Sequence, residues 1–112
     1  MIPIKLREQI LGDLENDVTG LWFLNAMASD YRETNDKDAF RLFVLNVISS
    51  LLSEGAMKAG FETSGGGFKA WKGSTSEVVK RIESDWVKLG RDPNLGEIVS
   101  FCRPEAVTEF ED

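Results

Sequence analysis

Between Asn35 and Gly60 the apolar residues Phe40, Phe43, Val44, Val47, Ile48, Leu51 and Leu52 recur at intervals of three and four. That spacing draws one wide stripe along a helix and predicts four or more turns buried on that side. Asn35 is placed to cap the first turn, because its side-chain oxygen can accept an N–H three residues on. Asp36 and Asp38 suit the positive end of the helix dipole. Gly55 and Gly60 are the two candidate stops, since either can take the left-handed conformation that closes a helix. Such a helix makes the core of a small domain and carries no function by itself.

The rest of the chain arranges itself around it. Pro3 suits a helix start, and Leu6, Ile10, Leu11 and Leu14 follow at helical spacing. Gly12 weakens this segment, which is expected to end near Glu15 or Asn16. Asp17 or Thr19 can cap a second helix carrying Leu21, Phe23, Leu24, Met27 and Ala28 and ending near Asp30 or Tyr31. Arg32 to Asn35 reads as a tight connection. After Gly60 the periodicity stops. Phe61 to Gly67, with three consecutive glycines, reads as a mobile loop or hairpin tip, and Phe68, Ala70 and Trp71 as a short extended piece. Ser74-Thr75-Ser76-Glu77 is a capping box, the serine capping the Glu77 N–H and the glutamate reaching back. The helix behind it aligns Val78, Val79, Ile82, Trp86 and Leu89 and stops at Gly90.

Arg91 to Gly96 has turn chemistry throughout. Glu97 to Cys102 is a strand or one more helical turn, between which periodicity does not decide. The acidic tail Glu105 to Asp112 is expected to fray. The fold expected from these signals is mainly α: a single domain over residues 1–112, about four helices, with a short strand pair near Phe68–Trp71 and Glu97–Cys102.

Composition sets the function classes. At 112 residues, 42% hydrophobic and 29% charged, the chain has the make-up of one folded domain. Cys102 stands alone, so no disulfide framework exists and a reducing compartment is favoured. Met1 to Ile10 lacks the apolar run of a signal peptide, and Phe43 to Ile48, broken by Asn46, is too short for a bilayer, so the cytoplasm is the expected location and no membrane partner is expected. Nineteen acidic against thirteen basic residues give a net charge of −6. That balance opposes nucleic-acid binding and favours a basic partner, although it also serves solubility.

The chain contains no histidine, which removes the commonest general base, the usual zinc ligand and every nucleophile–histidine dyad. Gly65-Gly66-Gly67 is not followed by the lysine of a phosphate loop. Asn35, Asp36 and Asp38 are read as helix caps rather than a cation site, because the run and central glycine of a calcium loop are missing. No cofactor and no metal are expected. Cys102 reads as a small buried hydrophobe. Trp22 and Trp86 are expected in the core, whereas Trp71, beside the glycine loop, is a candidate interface anchor.

In order along the chain stand Gly20-Leu21-Trp22, the apolar helix with Phe40 and Phe43, Leu51-Leu52-Ser53-Glu54-Gly55-Ala56-Met57-Lys58, and Trp71-Lys72-Gly73-Ser74 with Glu77. This succession resembles a family of short bacterial proteins, some of them immunity proteins of polymorphic toxins such as those of contact-dependent growth inhibition. The likeness runs from about Gly20 to about Phe101; the family's glycine-rich aromatic C-terminal segment is matched only loosely by Leu95 to Phe101. The resemblance implies a non-enzymatic protein that binds a cognate toxin domain, a nuclease, and covers its active site or nucleic-acid path. Its candidate contacts are Asp30, Glu33, Asp36 and Asp38 before and on the central helix, and Glu83, Asp85 and Asp92 on and after the last helix. Three other readings fit the residues: a helical adaptor or regulatory subunit, a DNA-mimicking inhibitor, and a carboxylate-dependent enzyme.

Overall fold

The computed structural model describes residues 2–33 and 35–111. Thr34, within the connection expected from the sequence, Met1, and Asp112, in the expected acidic tail, lie outside the described residues. In chain order the elements are α1 (Ile4–Asn16), β1 (Thr19–Gly20), α2 (Leu21–Ser29), α3 (Lys37–Ser53), β2 (Lys58–Glu62), β3 (Phe68–Ala70), α4 (Thr75–Leu89), β4 (Ser100–Cys102), a 3-10 turn at Pro104–Ala106, and β5 (Glu109–Phe110). The fold is therefore mixed α/β and not mainly α. Among the described residues, four helices accompany a five-stranded mixed sheet of order β1-β4-β2-β3-β5, in which only the β3–β5 pair is parallel.

The helices follow the sequence closely, with corrections at their ends. Asp36, not Asn35, caps α3: its carboxylate accepts the N–H groups of Asp38 and Ala39 at 2.9 and 3.2 Å. The charged oxygen adds a favourable dipole interaction at that end. Gly55, at φ +74°, closes α3, with Gly55 N–H donating to Leu52 and Ala56 N–H to Leu51. These two bonds form a Schellman stop. The Ser74–Glu77 capping box is complete, with both hydrogen bonds formed at 3.2 and 2.9 Å. Neither Asp17 nor Thr19 caps α2. Gly20 occupies that place with no side-chain cap, and the Thr19 hydroxyl donates instead to Asp13 on α1.

Gly60, the other candidate stop, lies in the middle of β2. A Cβ there would strike the Lys69 backbone carbonyl and lie 2.9 Å from the Ala70 Cα, so the two strands approach closely only because the residue is glycine. Gly60→Ala is expected to destabilise the protein by about 1–3 kcal/mol through this overpacking, measurable as a lower urea midpoint at unchanged m-value. The segments Phe68–Trp71 and Glu97–Cys102 both supply strands, but they do not pair with each other. β2 lies between them. The tail does not fray: Val107 and Ala106 pack on the sheet, and Thr108 and Glu111 N–H groups donate to Phe68 and Ala70.

Alternation of side chains gives the sheet two different faces. Phe101, Ala59 and Trp71 face the helices and join the main core with Leu6, Ile10, Leu24, Val44, Ile48, Leu51, Ile82 and Trp86. The opposite face carries Phe68, Ala70 and Cys102, and the C-terminal segment covers them with Ala106 and Val107. Burial pushes the Cys102 thiol up to about 11, which keeps it protonated and unreactive at neutral pH. On the same opposite face, Gly20, Ser100 and Gly60 form a row that continues to Ala70. The far face is thus covered at one end and paved with small residues at the other.

Candidate partner-binding surface

The acidic residues singled out by sequence are dispersed. Asp30 ends α2 and Glu33 edges a 330 Å³ hollow beside Tyr31, Arg32, Phe40 and Phe43, with the Arg32 guanidinium 4.2 Å above the Phe40 ring. Asp36 is a helix cap. Asp38 pairs with Arg41 at 3.1 Å and shares with Asp92 a 530 Å³ cleft between the start of α3 and the end of α4. Lys37, Arg41 and Arg91 line that cleft too, so the two carboxylates meet three cations and the cleft has no acidic character. Glu83 and Asp85 are half-buried on α4. Trp71 is 8% exposed; the Arg81 guanidinium lies 3.7 Å over its ring, Phe61 meets it edge-on, and Glu111 holds Arg81 at 2.8 Å.

A different set of residues stands out once the chain is folded. Trp22, expected in the core, is 37% exposed, as is Phe23 beside it, their rings 5.4 Å apart and tilted. Leu95 is 78% exposed. The three line a 250 Å³ hollow on the uncovered end of the sheet's far face, with Gly20 and Ser100 from the small-residue row, and with Asp17 and Glu62. The Trp22 ring lies so close over Gly20 that a Cβ there would sit 2.7 Å from Cδ1. Sequence periodicity missed this surface because helical spacing cannot tell the first turn of a short helix, leaning off the sheet edge, from a turn packed inside the core. The usable signal was Gly20: a glycine at a helix start has no side chain to bond the first turn and leaves space for a ring.

Leu95 projects from a loop that is tied on several sides. The Arg91 guanidinium grips Glu97 with two bonds of 2.8 Å, and the same carboxylate accepts the Asn94 N–H at 2.7 Å. Val99 N–H donates to the Glu97 carbonyl at 2.8 Å, which makes a tight turn centred on Ile98 at φ +69°. That conformation is strained for a β-branched residue and persists because the surroundings fix both ends. Ile98 packs against the main core and Val99 enters it, so Leu95 is held outward. The Arg91 side chain and the Asn94 N–H hold the Glu97 carboxyl well below its ordinary 4.5, at about 2. A depressed carboxylate contributes stability that is complete above pH 4.5 and is lost as pH falls through 2. Amide signals of residues 94–97 followed by NMR are expected to hold their positions through pH 4.5 and to move with a midpoint near 2. A midpoint near 4.5 would show the loop untied.

Among known protein families, characterised proteins and solved structures, none matches this chain. Among the described residues no helix is long and apolar enough to cross a membrane, and no group of three or more potential ligands is arranged to hold a metal ion.

Proposed function

We propose that this protein is an immunity protein that binds a cognate toxin domain, a nuclease, and neutralises it by covering its active site or nucleic-acid path. The observation that carries the reading is the hollow where Trp22, Phe23 and Leu95 stand in solvent beside Asp17 and Glu62, on a chain of net charge −6. Exposed aromatic anchors set a slow off-rate, and acidic charge speeds the capture of a basic protein. The tied Leu95 loop presents its anchor already ordered, which lowers the entropic cost of docking. The resemblance of Gly20 to Phe101 to immunity proteins of polymorphic toxins supports the same assignment and supplies the nuclease.

The test has two stages. Tagged protein captures partners from lysate of the source bacterium at low and high salt, and the captured domain is then titrated with pure protein in a nuclease assay. One basic toxin domain is expected, captured more slowly at high salt, its cleavage abolished at stoichiometric protein. A housekeeping complex, or a captured domain whose activity is untouched, would replace this reading with an adaptor that docks through the same hollow.

A further inference from the structure

We infer that the hollow between Trp22 and Leu95 receives an arginine side chain from a basic segment of the protein partner. The inference rests on the toxin-binding reading only for the source of that segment. Its physical basis is charge and shape. An arginine presents an apolar stem tipped by a planar cation, and it needs an aromatic face for the plane, apolar surface for the stem and a carboxylate for the charge. Trp22 and Leu95 supply the first two, and Glu62 and Asp17 supply the third. Gly20 lets the Trp22 ring lie close against β1, and Ser100 and Gly96 complete the lining of the hollow without bulky side chains.

The protein already contains the complete arrangement elsewhere. The Arg81 guanidinium lies 3.7 Å over the Trp71 ring and is held by Glu111 at 2.8 Å. Arg32 repeats the stacking over Phe40 at 4.2 Å. At the hollow the tryptophan and the carboxylates are in place, and the arginine comes from outside. Such a contact strengthens as the partner excludes water from it.

Amide and indole NMR signals of the full-length labelled protein, titrated with the blocked tripeptide Gly-Arg-Gly, test the inference. Saturable shifts are expected at Gly20, Trp22, Gly96 and Ser100. The same peptide with neutral citrulline in place of arginine is expected to bind at least fivefold more weakly, as is the arginine peptide to the Glu62→Gln, Asp17→Asn variant. Equal binding of the citrulline peptide, shifts centred on the Asp38–Asp92 cleft, or no saturable shift would overturn the inference. So would concentration-dependent shifts at these residues without peptide, which would make a second copy of the chain the occupant. If the captured toxin domain binds the double variant with undiminished affinity, this surface is wrong while the immunity reading stands. If arginine peptide binds as expected and no toxin is neutralised, the surface stands and the immunity reading falls.

Discussion

Phe101→Ala is expected to lower the unfolding free energy by about 3–5 kcal/mol. Phe101 is fully buried on β4, and its neighbours across the sheet are Thr19 on β1 and Ala59 on β2. Both are small and backbone-fixed, so neither can expand into the space left by the ring. A persistent cavity places the cost toward the upper end of that range. A domain of this kind has only about 5–15 kcal/mol to lose, so the variant should unfold at markedly lower urea. A loss below about 1 kcal/mol would mean that the helices and not the sheet centre carry the core.

Against the partner domain that the proposed reading calls for, Trp22→Ala is expected to weaken binding by about 2 kcal/mol or more, roughly 30-fold, nearly all of it as faster dissociation. Trp22 is 37% exposed, and the Phe23 ring lies beside it at 5.4 Å. Leu95→Ala separates binding from folding. At 78% exposure its loss should leave stability within about 0.5 kcal/mol of the parent while still raising the off-rate. Surface plasmon resonance with both variants decides the matter. Wild-type off-rates in both would move the docking surface elsewhere on the molecule.

The helices were legible because their signals are local. Leu6, Ile10 and Leu14, the α3 stripe, and the Ser74–Glu77 box each act within a few turns, and no distant residue alters them. The sheet was not legible, for reasons that lie in its geometry. Strands of two to five residues are too short to display alternation. Gly60 reads locally as a helix stop, and only the Lys69 carbonyl on the neighbouring strand explains why glycine is there. Glu109 and Phe110 look like a frayed acidic tail until β3 is present to receive them. The acidic candidate contacts rest on charge, and charge does not say which carboxylates are already engaged as caps or ion pairs. The exposed aromatic hollow depends on where α2 sits relative to the sheet edge, which no single segment encodes.

The strand order has a consequence for how the chain assembles. β4, made late, lies between β1 and β2, which are made 38 or more residues earlier. The β2–β3 hairpin closes locally and early, yet its β2 edge stays open until Ser100–Cys102 arrives to fill it. Loop closure over that distance is slow compared with helix formation, and an open strand edge invites pairing with another chain. Nascent or truncated chains ending before Ser100 therefore carry all four helices and an unsealed sheet, and they are the species in which self-association during synthesis would begin.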